Sequence, residues 1–181
     1  MRCYRSPVTT EPDRISVTLD IDAPAVRVYA LVADLTRMGE FSPESNGCTW
    51  LDGATKATPG ARFSGRNRRG RRRWSTLGTV LVADPGVELS FEIHTVANLP
   101  VARWTYSIAP TRDGVACTVE EIWQDRRGPT IKVLGGLASG VWNRSDHNRN
   151  GMITTLERLK LAAERSHDPG NHEPDGAAPG A

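Results

Sequence analysis

Hydrophobic and polar residues alternate with a period of two over Arg14 to Ile21, which is typical of a half-buried strand. Apolar residues then recur at helical spacing between Ala25 and Val32. Asp22 is the expected N-cap of this helix, and Pro24 suits its first turn. A second short helix is predicted over Thr36 to Glu40. The chain therefore opens with one strand and two short helices.

Six more strand-like segments follow, and the pattern then becomes helical. The predicted strands cover residues 47–51, 61–67, 73–82, 87–94, 102–108 and 115–123. From Pro129 the apolar spacing is helical, with a break expected at Gly135-Gly136 and a helix end near Arg165. One face of this helix is marked by Leu137, Val141, Asn148, Met152, Leu156 and Leu159. The order predicts an α+β protein in which one long helix covers an antiparallel sheet.

The expected domain organisation is simple. Residues 13–166 form a single domain, whose length is sufficient for one core. Residues 1–12 are polar and broken by prolines, so we expect a flexible lead-in. Residues 167–181 are rich in proline, glycine, alanine and acidic side chains, so we expect a disordered tail.

Strand parity predicts which side chains face the core. In 87–94 the apolar residues Leu89, Phe91 and Ile93 must point inward, and Glu92 and His94 outward. The same reasoning on the other strands selects an inward set that contains five aromatic residues: Phe63, Asn67, Trp74, Thr76, Trp104, Tyr106, Ile108, Val115, Cys117, Val119, Glu121 and Trp123. Taken alone, aromatic residues at strand spacing favour a filled core.

Several separated motifs resemble a known superfamily. They are Ile21 through Leu35, Met38 through Glu44, Trp50-Leu51-Asp52-Gly53, Gly60 through Asn67, Glu120 through Trp123, and Asn150 through Lys160. Together they resemble the START/Bet v 1-like (SRPBCC) superfamily, and within it the bacterial polyketide cyclase/dehydrase and lipid transport proteins. The resemblance spans roughly residues 14–165. It implies a helix-grip fold: a curved antiparallel sheet of about seven strands around a long C-terminal helix, with two short helices after the first strand.

The resemblance also implies a cavity between sheet and helix that binds a hydrophobic or aromatic small molecule, lipid-like or polyketide-like. Its expected ligand-binding residues are Phe63, Asn67, Trp74, Phe91, Trp104, Tyr106, Glu121, Trp123, Trp142 and Asn148. The aromatic side chains would supply apolar surface, and the few polar groups would orient the ligand.

Two residues of this set are candidates for catalysis. A carboxyl group such as Glu121 in an apolar interior has a raised pKa and can act as a general acid or base. Tyr106 can donate a hydrogen bond to a carbonyl. The alternative is that Glu121 is solvated or pairs with an arginine. A non-catalytic binder and a cofactor-independent polyketide cyclase or dehydratase therefore both stay open. No cofactor is expected, and no histidine pair has the spacing of a zinc site.

Charge is concentrated in one place. Seven arginines and no acidic residue lie between Arg62 and Arg73, although the whole chain has a net charge of only +2. Six of them belong to a predicted hairpin: Arg66, Arg68, Arg69, Arg71, Arg72 and Arg73. This hairpin is either a solvated tip or a surface for an acidic carrier protein or an anionic membrane. An interaction module is thus a third candidate function. We do not expect nucleic acid as a partner, because Trp74 is the one aromatic residue at the tip.

Composition adds a prediction of compartment. No apolar run approaches the roughly 20 residues that span a bilayer. Residues 1–7 carry no apolar stretch behind their charges, so we predict no secretory signal. Three widely spaced cysteines offer neither a metal site nor a disulfide framework. The expected location is the reducing cytoplasm.

Overall fold

Seven antiparallel strands form one sheet in the computed structural model, which describes residues 13–141 and 143–165. The strands are β1 (Arg14–Ile21), β2 (Ser45–Trp50), β3 (Arg62–Arg69), β4 (Arg72–Asp84), β5 (Glu88–His94), β6 (Pro100–Pro110) and β7 (Cys117–Asp125). Their order across the sheet is β1-β7-β6-β5-β4-β3-β2. Strands β2 to β7 are a continuous meander, and β1 lies at the far edge, paired with β7.

The helices lie at two points of the chain. Within the described residues they are α1 (Ala25–Ala33), a 3-10 helix (Leu35–Arg37), α2 (Met38–Phe41), α3 (Pro129–Ser139) and α4 (Arg144–Arg165). The first three connect β1 to β2, and the last two follow β7. Helix α4 is 22 residues long and buries one face, made by Asn148, Met152, Thr155, Leu156, Leu159 and Ala163. The predicted α+β helix-grip fold is confirmed.

The core lies between the curved sheet and α4, and strand periodicity explains its composition. Every second side chain of β5, β6 and β7 points to the same face. Leu89 and Ile108 are buried there, as are Val119 and Trp123. On β4 the inward parity continues through Thr76 to Val80, and a bulge after Val80 shifts the register. The alternation seen in the sequence is therefore the alternation of the sheet.

The predicted N-cap of the first helix is wrong. Pro24 occupies the N-cap position of α1, and no side chain caps the helix. The backbone N–H of Asp22 instead donates to Oε1 of Glu164, at 2.8 Å. Glu164 also accepts from Lys160, the i,i+4 partner one turn earlier in α4. Asp22 therefore connects the start of α1 to the end of α4 and does not cap α1.

The predicted helix break is also misplaced. Helix α3 continues through Gly135-Gly136 and ends before Gly140, whose φ of 70° is a left-handed conformation that terminates helices. Leu137 therefore belongs to α3 and is exposed, not part of the buried face of α4. Val115 was expected to face inward, but it lies in the turn before β7 and is exposed.

Some expectations fall outside the described residues. These are the lead-in at 1–12, the tail at 167–181 and Trp142. Among residues 13–141 and 143–165, none of the helices has the length and apolarity that a membrane-spanning segment requires.

Candidate functional site

A cavity of about 170 Å³ lies between the inner face of the sheet and α4. Strands β3 to β7 supply one wall, and α2, the start of β2 and the first turns of α4 supply the other. Nine of the ten residues expected from the sequence to bind ligand line it: Phe63, Asn67, Trp74, Phe91, Trp104, Tyr106, Glu121, Trp123 and Asn148. The tenth, Trp142, lies outside the described residues.

Aromatic rings hold one side of the cavity in place. Phe63 on β3 packs edge to face against Trp50, with ring centroids 5.8 Å apart, and against Phe91, with centroids 5.7 Å apart. Gly78 on β4 lies beneath the Phe63 ring, so close that a Cβ there would be 2.1 Å from Cζ. A glycine is therefore required for Phe63 to lie flat against the sheet.

A buried carboxyl group lies at the centre of the cavity wall. Glu121 on β7 is only 2 % exposed and is paired in register with Tyr106 on β6. The Tyr106 hydroxyl donates to Oε1 of Glu121 at 2.9 Å. Among the described residues, Oε2 of Glu121 has no hydrogen-bond partner. The pair thus leaves one carboxyl oxygen without a partner inside an apolar cavity.

Burial determines the protonation of this pair. Removal from water raises the pKa of Glu121 from 4.5 to about 8, although the hydrogen bond from Tyr106 opposes the rise. Burial and the neighbouring carboxyl raise the pKa of Tyr106 well above its ordinary value. At neutral pH Glu121 is mainly the neutral acid. Its carboxyl group can then donate a hydrogen bond as well as accept one.

A second buried polar group faces the same cavity from α4. Asn148 is 4 % exposed, and its Nδ2 has no acceptor among the described residues. Asn67 on β3 differs, because its Nδ2 donates to Oγ1 of Thr76 at 3.3 Å. Glu121 and Asn148 are therefore the two cavity-lining side chains that each have one buried polar atom without a partner within the described part of the chain.

The rim contains an ion pair that the sequence analysis missed. Arg144, the first residue of α4, donates from Nη1 and Nη2 to the two carboxylate oxygens of Glu44 at 3.0 and 3.2 Å. His147 Nε2 lies 3.5 Å from the same carboxylate. The pKa of His147 is lowered, chiefly by burial. Partners 100 residues apart leave no local pattern, so no sequence signal pointed to this pair.

The two cysteines of the described residues, Cys48 and Cys117, are buried. Cys48 lines the cavity, but burial raises its thiol pKa to about 11, so it is a poor nucleophile. Burial raises the pKa of Cys117 to about 11 as well. Within residues 13–141 and 143–165, no group of three or more histidine, cysteine, aspartate or glutamate side chains is placed to hold a metal ion.

The β3–β4 turn with its six arginines, residues 66–73, is here called the arginine hairpin. Two of the six contact the end of α3: Arg69 donates from Nη1 to the carbonyl of Gly140 at 3.1 Å, and Arg72 donates to the carbonyl of Leu137. Arg68 donates from Nε to the carbonyl of Gly70 within the turn. The hairpin is thus partly a structural brace and not wholly a solvated tip.

A curved antiparallel sheet that grips a long helix over a mostly apolar cavity defines the START-like class of proteins. The chain belongs to the polyketide cyclase / dehydrase and lipid transport family, whose sequence model matches residues 12–164. No curated protein matches the chain significantly.

Solved structures share this fold. A polyketide cyclase-like protein from Corynebacterium glutamicum is 26 % identical, with a TM-score of 0.55 over 88 % of this chain and 96 % of that one. A START superfamily protein from Mycobacterium smegmatis is 14 % identical, with a TM-score of 0.58 over 85 % and 99 % of the two chains. A protein of the dynemicin biosynthetic locus is 17 % identical, with a TM-score of 0.52, and the match covers 85 % of this chain and 48 % of that one.

Proposed function

We propose that this protein binds a hydrophobic small molecule that carries at least one oxygen, in the cavity between the sheet and α4. The observation that carries the proposal is the pair of buried polar groups without partners, Glu121 Oε2 and Asn148 Nδ2, in a cavity otherwise lined mainly by apolar side chains. Unpaired buried polar groups cost roughly 1–3 kcal/mol each. A ligand oxygen that accepts from Asn148 or from protonated Glu121 would recover part of that cost.

The size of the cavity limits what it can enclose. About 170 Å³ is close to the ~150 Å³ of an engineered cavity that holds benzene, and it is below the roughly 300–1,000 Å³ of ordinary ligand sites. The enclosed space therefore suits one ring or a short chain segment. A multi-ring polyketide or a lipid would have to extend past the rim formed by Glu44 and Arg144.

The test is ligand binding by the purified protein. Native mass spectrometry would reveal co-purified molecules, and fluorescence titration with phenols, cyclic ketones and fluorescent fatty acids would measure affinity. We expect Asn148→Leu to weaken binding of oxygen-containing ligands about tenfold or more, and the exposed control Asn150→Leu to leave it unchanged. An absence of binding across the whole panel would rule out the proposal.

A cofactor-independent cyclase or dehydratase is the second candidate, and the Tyr106–Glu121 pair favours it. With a pKa near 8, Glu121 exchanges its proton close to neutral pH. As a carboxylate it would take a proton from the CH₂ beside a ketone. The resulting enolate carbon would attack a second carbonyl, and the new alkoxide would take the proton back from Glu121. No external oxidant or reductant is needed, and loss of water could follow.

Catalysis is separable from binding by one substitution. Glu121→Gln retains an acceptor for the Tyr106 hydroxyl and removes the transferable proton. We expect this variant to bind a poly-ketone substrate but to lose turnover by a factor on the order of 10² or more. Glu120→Gln, on the opposite face of the same strand, is the matched control. Unchanged turnover in Glu121→Gln would exclude Glu121 from the reaction.

A further inference from the structure

Exposed aliphatic side chains lie beside the arginine hairpin. On α3, Val133, Leu134 and Leu137 are 54, 55 and 59 % exposed. The contacts of Arg69 and Arg72 with backbone carbonyls at the end of α3 place the hairpin directly against this helix. The apolar strip of α3 and the strongly basic turn are therefore adjacent, with Arg69 and Arg72 on the face of the hairpin that meets α3 and Arg66 and Arg73 on its other face.

The charge of this surface is not neutralised within the described residues. Arg66, Arg71 and Arg73 are exposed, and none of them takes part in an ion pair of the described chain. Residues 62–73 contain no acidic side chain. Three guanidinium groups are thus available to anions from outside the molecule.

We propose that α3 and the arginine hairpin together form a docking surface for a membrane that contains anionic phospholipid. Guanidinium groups pair well with phosphate and carboxylate oxygens, and exposed leucine and valine side chains can enter the boundary between headgroups and acyl chains. The strength of binding to a membrane surface grows with the apolar area buried and with the attraction to anionic lipid, and these residues offer both. An acidic protein would use the arginines but would leave the aliphatic strip without an evident role.

The position of the surface links it to the cavity. Helix α3 connects Arg127 to Arg144, and both of these residues line the cavity. Docking through α3 would therefore bring the cavity rim close to the lipid. The proposal goes beyond small-molecule binding and does not require the bound molecule to be a lipid.

Vesicle sedimentation tests the proposal with the full chain. We expect the protein to bind vesicles of phosphatidylcholine mixed with phosphatidylserine and not vesicles of phosphatidylcholine alone, with affinity falling as salt rises. The double variant Arg71→Ser and Arg73→Ser leaves the α3 contacts intact and should bind roughly thirtyfold more weakly. Its charge-matched control, Arg112→Ser and Arg165→Ser, should bind like the wild type.

The aliphatic strip has its own pair of variants. Leu134→Glu should weaken vesicle binding about tenfold or more, and Val115→Glu, at a site of the same 55 % exposure in the turn before β7, should not. The proposal would be overturned if a test variant and its control weakened vesicle binding equally, for the arginine variants or for Leu134→Glu and Val115→Glu. It would also be overturned if the wild type did not bind vesicles that contain phosphatidylserine. Capture of an acidic acyl carrier protein in place of vesicles would overturn it too.

Small-molecule binding measured without vesicles separates the two proposals. The Arg71/Arg73 and Leu134 variants should bind cavity ligands normally. Normal vesicle binding with no cavity ligand would therefore count against the proposed function alone, and the reverse result would count against the docking surface alone.

Discussion

The buried carboxyl of Glu121 makes the stability of the folded protein depend on pH. The pKa of this carboxyl group is 4.5 when it is exposed to water, as in the unfolded chain, and about 8 in the folded protein. Between these values the folded protein retains a proton that the unfolded chain has released, so the free energy of unfolding falls as pH rises from 4.5, and the fall ends above about 8. At roughly 1.4 kcal/mol per pKa unit, the loss is on the order of 5 kcal/mol.

Urea unfolding of the wild type and of Glu121→Gln across pH 5 to 8 checks this prediction. The free energy of unfolding should fall with pH in the wild type but not in the variant, a difference of about 4 kcal/mol over this range at ~1.4 kcal/mol per pH unit. His147, with its lowered pKa, acts with the opposite sign, but it is present in both proteins and cancels in the difference. Glu120→Gln is the control. A wild-type protein with the same pH profile as Glu121→Gln would contradict the buried, protonated state.

The contact between Gly78 and Phe63 gives a second prediction. A methyl group at position 78 would overlap the Phe63 ring, which Trp50 and Phe91 hold in place on either side. We expect Gly78→Ala to reduce stability by about 1–3 kcal/mol, the usual cost of overpacking. Gly128→Ala is the control, since no atom lies within 4 Å of a Cβ there. Thermal unfolding of the two variants is the measurement, and equal midpoints would contradict the expected overlap.

Among the elements, α3 depends on contacts from β3 and β4. The last carbonyls of a helix lack partners within it, and Arg69 and Arg72 supply donors with positive charge at the negative end of the helix dipole. Removal of the Arg72 side chain should therefore loosen α3. We expect Arg72→Ala to speed hydrogen exchange of residues 129–139 about three- to thirtyfold, equivalent to roughly 0.7–2 kcal/mol.

The neighbouring Arg73→Ala removes the same charge and is the control for this prediction, because Arg73 makes no contact with the end of α3 among the described hydrogen bonds. Exchange measured by mass spectrometry on peptides of α3 distinguishes the two variants. Equal exchange in both would show that the guanidinium contacts do not support the helix.

The end of α3 also shows which feature of the secondary structure could not be predicted from the sequence. All seven strands were predicted, and the alternation is clearest in β1 and β5, where one buried face of the sheet imposes a period of two on the residues. The break between α3 and α4 was not. Gly135-Gly136 gives the stronger local signal for a break. The chain nevertheless turns at Gly140, where Arg69 of the arginine hairpin contacts the end of α3. A tertiary contact therefore overrides the local preference.

At the level of the whole molecule, the inner face of the cavity was predictable and its closure was not. Parity along β6 and β7 placed Tyr106 and Glu121 inward, and the structure brings their oxygens to 2.9 Å. The Glu44–Arg144 pair at the rim joins residues 100 positions apart, and no periodicity relates them. The cavity volume depends likewise on how α4 packs against the sheet, which the pattern of apolar residues does not encode.

The Glu44–Arg144 pair gives the last prediction, which concerns opening of the cavity. Both side chains are largely buried, at 17 and 20 % exposure, so loss of one charge leaves the other poorly solvated. We expect Glu44→Gln to reduce stability by about 1–3 kcal/mol and to speed hydrogen exchange in the first turns of α4. The exposed pair of Arg37, at the end of the 3-10 helix, and Glu40, on α2, offers the control Glu40→Gln, which should change little.

If this ion pair also limits entry of large ligands, Glu44→Gln should bind a multi-ring phenol faster than the wild type does and leave the association rate of a single-ring phenol unchanged. Stopped-flow fluorescence measures both rates. The size dependence matters because a cavity of about 170 Å³ suits one ring, whereas a larger ligand has to extend past the rim formed by Glu44 and Arg144. Equal acceleration for both phenols would place the barrier elsewhere than at this ion pair.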